Sequence, residues 1–355
     1  MTATSQISAR APASGRPRPG VPATPATGDG GPTLPEPRGP LSAALLDRIR
    51  GPVRPLAPRS LPEDDPLTGD DLHLALYVCY ELHYRGFAGV DDRWEWEPSL
   101  LALRRDLEST FEAALREEAG PVGPVDPATV DVRLDELLDG NGPSLSQYMA
   151  DRGTLDQFRQ FAIHRSAYQL KEADPHTWAL PRLWGGPKSA IVEIQADEYG
   201  EGMPGESHAE LFAVTMAGLG LDTTYGAYLD RLPGITLATV NLVSMLGLHR
   251  RLRGALVGHL AAFEMTSVEP MGRYSRAMAR LGFGPAVRRF YDVHVEADIR
   301  HATVAATALA GGLARQQPDL AADILFGAGA LSAVEGRLTT HLLESWSSGR
   351  TSLLG

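Results

Sequence analysis

Apolar residues recur along most of the chain with the period of an α-helix. From Leu72 to Leu82 they lie three or four positions apart, which predicts a helix with one buried face. The same spacing predicts helices over residues 98–118, 127–139, 144–150, 154–172, 188–199, 205–219, 236–248, 250–266, 272–281, 284–309, 319–338 and 339–346. Since no stretch alternates β-branched and polar residues over the length of a strand, the predicted fold is all-α, a bundle of roughly ten helices.

Proline and glycine mark the predicted boundaries between helices. Glu269-Pro270, for example, predicts the end of one helix and the start of the next. Gly200-Glu-Gly202-Met-Pro-Gly205 matches the G-x-G-x-x-G pattern of dinucleotide sites, but no strand precedes it, and Glu201 and Glu206 would face a pyrophosphate. A break between two helices is the better interpretation of that segment.

The N-terminal part of the chain has a different composition. Residues 1 to about 60 are rich in Pro, Gly, Ala, Thr and Arg, with almost no large apolar side chain before Leu41. Such a segment buries too little surface to offset its ordering entropy, so we predict a disordered tail. A short helix around Leu41–Arg50, with Ser42 as a candidate N-cap, interrupts it.

Composition and charge exclude several classes of function. The chain of 355 residues has a single cysteine, Cys79, which excludes internal disulfides and cysteine-rich metal sites. A net charge of −11 argues against nucleic acid as a partner. The most apolar stretch, Leu232–Leu248, is short for a membrane span and predicts a buried helix. A cytoplasmic protein acting on a small molecule is expected, since no apolar signal-peptide core follows the first residues.

The strongest chemical signal is a set of three residues near the C-terminus. His294, Asp298 and His301 stand at offsets 0, +4 and +7. On an α-helix the side chains of Asp298 and His301 point within roughly 40° of the direction of the His294 side chain. Two imidazoles and a carboxylate on one face are the ligand chemistry of a non-haem iron centre. The alternative is a solvated polar face with two incidental histidines.

Other acidic residues have the same two interpretations. Glu264 ends an apolar stretch, where an unpaired carboxylate is costly to bury and is usually retained by a cation or metal. Glu198 and His208 flank the glycine-rich break, and Glu201 lies within it. Glu172 stands at a predicted helix end. Each of these carboxylates is also compatible with an ordinary exposed or arginine-paired position. No Glu-x-x-His pair occurs, which argues against a ferritin-like di-metal site.

Taken together, these residues resemble the haem-oxygenase-like di-iron oxidases and oxygenases, a family of iron-containing redox enzymes. The resemblance depends on His-x3-Asp-x2-His, on Glu-Ile-Gln-Ala-Asp-Glu-Tyr-Gly ending at Gly200 and followed by His208, and on an isolated Glu264. It is clearest over residues 145–315. It implies a haem-oxygenase-like domain at residues 141–355, preceded by an accessory helical region at 61–140 and the tail at 1–60.

The resemblance also implies a set of iron ligands. These are Glu198, His208, Glu264, His294, Asp298 and His301, with Glu172 as an additional one, since some members have a carboxylate about 26 residues before the Glu198 position. Other members use a glutamate seven residues before the first histidine, which makes Glu201 the alternative to Glu198.

The implied cofactor is two iron ions cycling between Fe(II) and Fe(III), or Mn, with O2 as co-substrate and no haem. The implied activity is oxidation of a small organic substrate by N-oxygenation, desaturation or oxidative C–C cleavage, as in secondary metabolism. A homodimer is common among similar proteins, and the sequence leaves the assembly open. Two alternatives remain: a metal-free binding or hydrolytic protein of the thiaminase type, and a non-catalytic helical interaction protein.

Overall fold

The structure is a computed structural model that describes residues 31–57, 61, 63–139 and 142–355. Within these residues it is helical without a β-strand, which confirms the predicted all-α class. The α-helices are α1 (Pro40–Ile49), α2 (Asp70–Glu81), α3 (Pro98–Ala119), α4 (Val130–Leu138), α5 (Leu145–Arg152), α6 (Leu155–Gln169), α7 (Asp174–Thr177), α8 (Gly185–Glu198), α9 (His208–Gly218), α10 (Gly234–Leu248), α11 (Arg253–Arg280), α12 (Pro285–Thr303), α13 (Gly311–Gln316) and α14 (Ala321–Ser347). Short 3₁₀ helices lie between several of them.

Helices α10, α11 and α14 form the centre of the bundle. Helix α11 packs against α12 and α14, and α10 packs against α2. At the crossing of α11 and α14, a Cβ on Gly258 would overlap the Ile324 carbonyl, and a Cβ on Gly327 would overlap the Ala255 carbonyl. Only glycine fits where two backbones approach this closely. These two residues therefore set the distance between the two longest helices.

Helix α10 is the apolar stretch that the sequence predicts as buried. Nearly all of its residues are buried in the core, including the polar Asn241, whose side-chain amide donates to the His73 carbonyl on α2 at 2.9 Å. Across the described part of the chain, none of the helices is long and apolar enough to cross a bilayer.

The N-terminal segment is packed against the bundle over most of its described length. The short helix predicted around Leu41–Arg50 is present as α1, and its Leu46 and Ile49 are fully buried. The backbone N–H of Ser42 donates to the Asp71 carboxylate of α2 at 2.7 Å. The predicted interruption of the tail by a short helix is therefore confirmed, and α2 covers the apolar face of that helix. The prediction of a disordered tail falls largely on residues 1–30, which lie outside the described residues.

Two predicted helix boundaries are wrong. Helix α11 continues through Pro270 to Arg280, and α14 is unbroken where the pattern predicts a boundary after residue 338. A proline inside a helix leaves the carbonyl four residues earlier, here that of Thr266, without its helical partner. Because Thr266 is exposed, water can bond that carbonyl, which reduces the cost of the proline.

A π-helix, Val304–Ala310, joins α12 to α13. Its hydrogen bonds span one more residue than those of an α-helix, and π-helical segments are rare and often lie beside functional sites. This one begins three residues after His301 and packs against α8 and α11. The helix that carries the predicted iron ligands thus leaves regular α geometry immediately after the last of them.

Candidate metal centre

The three residues predicted on one helix face project together into the interior. His294, Asp298 and His301 lie on α12, and each residue is at most 4% exposed. A solvated polar face is therefore excluded for these residues. Asp298 accepts a hydrogen bond from the Ser267 hydroxyl of α11 at 2.5 Å through Oδ2, while its Oδ1 has no partner.

Three helices and one turn bring the remaining residues to the same place. Glu198 is the last residue of α8, His208 the first of α9, and Glu264 lies in the middle of α11. Glu172 lies in the turn between α6 and α7. Three of the four are classed as buried, and the Glu172 side chain is 10% exposed.

Local sequence explains where α8 ends and α9 begins. Gly200 has φ of 61°, and a Cβ there would overlap the Glu206 backbone, so the tight break between the helices requires glycine. Ser207 caps α9 and exchanges hydrogen bonds with Glu210, which places His208 in the first turn. The glycine-rich segment is thus a break between helices, as the sequence predicts.

The candidate ligands form two groups that share one residue. Glu172, Glu198, His208 and His294 each offer one donor atom within 4.8 Å of the others, and so do Glu198, Glu264 and His301. Asp298 Oδ1 lies 3.8 Å from Nδ1 of His301, at the edge of the second group. The structure therefore brings together all seven residues that the sequence nominates, with Glu198 common to both groups.

Glu201 lies outside both groups. It is exposed on the 3₁₀ turn after α8, with φ of 51°. The structure thus places Glu198, and not Glu201, among the other candidate ligands.

Several nitrogen and oxygen atoms of the cluster that could ligate a metal lack hydrogen-bond partners. Nδ1 of His208 lies 2.9 Å from Oε2 of Glu198, yet neither atom makes a hydrogen bond of acceptable geometry. Oε2 of Glu172 and Nδ1 of His301 are also buried without partners. Buried polar atoms normally make hydrogen bonds. A group of nitrogen and oxygen atoms that lack such partners and lie close together therefore fits the coordination of a cation.

The cluster lines one wall of a small cavity. Its volume is about 40 Å³, which exceeds the roughly 10–15 Å³ needed for a single water. Candidate ligands from both groups face it, and so do side chains that belong to neither group. These others are Tyr168, Gln169, Ala173, His176, Gln195, Leu260, Phe263, Ser267 and Met271.

Comparison with known families identifies the chain. Residues 159–336, half of the sequence, match the family described as iron-containing redox enzymes. The chain belongs to this family. The matched region contains every candidate ligand and the whole cavity lining. The family match also confirms that the all-α bundle has the haem-oxygenase-like form that the resemblance implies.

The chain is also similar to proteins of known structure. A solved structure of a CADD-like protein of unknown function from Nostoc punctiforme is 17% identical, with a TM-score of 0.49, over 63% of this chain and 96% of that one. The comparison with curated proteins gives no match.

The buried carboxylates of the cluster shift the pKa values of the groups around them. Burial raises the pKa of Glu264, with Glu198 and Asp298 adding to the effect, to about 7. Burial lowers the pKa of His294, but the facing Glu172 carboxylate outweighs it and raises the value to about 10. Burial also lowers the pKa of His301, but Asp298 and Glu264 outweigh this effect and raise the pKa to about 10. The carboxylates around both imidazoles therefore favour positive charge at this place in the fold.

The imidazoles are oriented by partners that the sequence does not reveal. Nδ1 of His294 donates to the Phe290 carbonyl at 2.7 Å, which leaves Nε2 facing the Glu172 carboxylate. Nε2 of His301 lies 3.2 Å from the Asp197 carboxylate, which leaves Nδ1 facing Glu264. Outer partners of this kind fix the tautomer of metal-binding histidines. Asp197 is adjacent to Glu198 in sequence, but only the packing of α8 against the α12 region reveals its contact with His301.

Proposed function

We propose that this chain is a non-haem di-iron oxidase or oxygenase that uses O2 to oxidise a small organic substrate. The observation that carries the proposal is the pair of donor groups sharing Glu198, which has the form of a two-metal site with one bridging carboxylate. One ion would be held by Glu172, His208 and His294, the other by Glu264, Asp298 and His301, and Glu198 would contact both.

The donor set fits iron. Carboxylate oxygens and imidazole nitrogens are hard and borderline donors, suited to Fe(II) and also to Mn(II), and the cluster contains no thiolate. Four carboxylates, from Glu172, Glu198, Glu264 and Asp298, would balance the four positive charges of two divalent ions. Such neutralisation explains how this many acidic groups are buried in one place.

Bound iron would supply the electrons and the open coordination positions needed to activate O2. The contribution of the protein is positional. Phe290 and Asp197 orient the two imidazoles of α12, and Ser267 holds one oxygen of Asp298. Apolar side chains of the cavity wall, Leu260, Phe263 and Met271, limit the space for water beside the site. N-oxygenation, desaturation and oxidative C–C cleavage are all compatible with this arrangement.

Iron binding tests the proposal directly. Anaerobic loading of purified protein with Fe(II), followed by desalting and metal analysis, should give about two irons per chain, and addition of O2 should change the visible absorption. A His294→Ala, His301→Ala variant should retain little iron. His249→Ala is the matched control, since His249 pairs with Glu108 outside the cluster. Well under one iron per chain in the wild type would refute the proposal, and equal loading of the double variant would refute the residue assignment.

The metal-free, thiaminase-type alternative has less support. Proteins of that type depend on a nucleophilic cysteine, and Cys79 is buried outside the cavity lining. Burial raises the pKa of its thiol to about 12, which disfavours the reactive thiolate.

A further inference from the structure

The cavity has a second polar region that the candidate metal ligands do not use. Gln195 and Gln169 both line it and are 4% and 7% exposed. Nε2 of Gln195 and Oε1 of Gln169 are buried without a hydrogen-bond partner. A buried amide group without a partner costs free energy, so its retention beside a cavity points to a ligand that bonds it.

The orientation of Gln195 is set from outside the cavity. Its Oε1 accepts from the Thr177 hydroxyl at 2.8 Å. The Tyr199 hydroxyl, 2.9 Å from Thr177, donates to Asp174 at 2.9 Å. The Thr177 hydroxyl is closer to Gln195 than to its other acceptor, the Ala173 carbonyl at 3.2 Å, so its proton is assigned to Gln195. With its oxygen engaged, Gln195 retains an unpartnered N–H group at the cavity lining. Gln169 presents a carbonyl acceptor.

The remaining walls favour an uncharged ligand. None of the described residues that line the cavity is Lys or Arg, so an anionic group would find no side-chain counter-charge. His176 bonds His259 at 3.0 Å, and burial lowers its pKa to about 4, so it is neutral at physiological pH. The carboxylates that face the cavity are the candidate metal ligands, which two divalent ions would neutralise. This last step rests on the proposed function.

Aromatic side chains provide an apolar surface in the same cavity. Tyr168 and Phe263 stack with their ring centroids 5.5 Å apart and their planes at 17°. Met271 also faces the cavity. A hydrocarbon stem adjoining the polar group of the ligand would pack against these side chains.

We infer that Gln195 and Gln169 form a substrate subsite beside the metal centre, which takes a neutral group with adjacent hydrogen-bond acceptor and donor, as in a carboxamide or urea on a short apolar stem. Gln195 donates to the carbonyl oxygen of that group, and Gln169 accepts from its N–H. The subsite would select among substrates, while the metal centre would carry out the oxidation.

Three small probes with a neutral, a negative and a positive head group test this assignment: propanamide, propanoate and propylammonium. Their affinities are measured by NMR titration of the zinc-loaded protein, with zinc as a redox-inert substitute and its content checked by metal analysis. Propanamide should shift the Gln195 side-chain amide signal, which is identified by its absence from Gln195→Leu. It should bind at least tenfold more tightly than either charged probe.

Three variants complete the test. Gln195→Leu and Gln169→Leu should each weaken propanamide binding by roughly fivefold, as expected for one neutral hydrogen bond. Gln147→Leu is the matched control and should bind propanamide like the wild type, since Gln147 bonds Asp151 on the exposed face of α5, away from the cavity. Gln169→Leu should keep or raise the melting temperature, because it removes an unpartnered polar atom, and this separates a binding role from a structural one.

Each outcome is decisive. A charged probe that binds as well as propanamide, or glutamine variants that bind it like the wild type, would overturn the subsite while leaving a zinc-loaded metal centre intact. If zinc itself fails to bind, the proposed function is wrong, and the subsite is overturned with it because its neutral surroundings depend on the metals.

Discussion

Removal of the shared carboxylate should weaken both metal sites together. Contact with His208 and His294 outweighs the effect of burial and lowers the pKa of Glu198 to about 2, so its side chain is charged at neutral pH. Glu198→Gln keeps the shape of the side chain and removes that charge. With two divalent ions bound, the four carboxylates become three, and the centre carries an uncompensated unit charge.

The expected loss follows from Coulomb's law. The donor atoms of each group lie within 4.8 Å of one another. One unit charge pair at about 4 Å contributes roughly 4 kcal/mol at an effective dielectric constant of about 20, which corresponds to about 10³ in affinity. Glu198→Gln should therefore lower the Fe(II) affinity of both sites by roughly that factor. Glu172→Gln should weaken one site and leave the other near its original affinity.

Anaerobic Fe(II) titration against a chelator of known affinity measures both stoichiometry and strength. Glu193→Gln is the matched control, since Glu193 lies on the same helix and pairs with the exposed Arg300. If Glu198→Gln keeps one site at wild-type affinity, Glu198 is not shared and the bridging interpretation is wrong.

Three further predictions follow from other parts of the structure. Asp197→Ala should weaken Fe(II) binding by about 10–100-fold in the chelator assay with little change in melting temperature, because Asp197 orients His301 without coordinating the metal. Gly327→Ala should destabilise the fold by about 1–3 kcal/mol or more in chemical denaturation, whereas Gly336→Ala on the same helix, with open space around it, should be neutral or stabilising by up to about 1 kcal/mol. Burial lowers the pKa of His73 to about 4, below the value of about 6.5 in an unfolded chain, so its contribution to stability is complete above pH 6.5 and lost as the pH falls towards 4. Between pH 7 and pH 5 the wild type should lose about 2 kcal/mol more than His73→Gln in urea unfolding, and equal losses would contradict this account.

Sequence alone locates the candidate ligands of α12 because their relation is local. The spacing of His294, Asp298 and His301 fixes their common direction wherever the segment is helical. The choice between Glu198 and Glu201 is different, because the positive φ values of Gly200 and Glu201 end the helical geometry on which residue counting depends. Only the folded chain shows which of the two faces the cluster.

Other features depend on contacts between segments distant in sequence. The burial of α1 requires α2 as a partner, and the continuity of α11 through Pro270 depends on solvent access at Thr266. The sequence likewise gives no sign that Gln169 and Gln195 carry unpaired amide atoms, since that property follows from what surrounds them. Helical periodicity predicts elements and their faces, and the chemistry at the meeting point of several elements requires the tertiary structure.

The π-helix at Val304–Ala310 has a consequence for comparing and redesigning proteins of this type. A π turn accommodates one more residue than an α turn over a similar rise. Removing one residue from this segment should therefore restore an α-helix while the faces of α12 before it and α13 after it keep their directions. Sequence alignments across this region should allow a single-residue gap there. An insertion or deletion that keeps the segment helical is best engineered at the same point, downstream of His301.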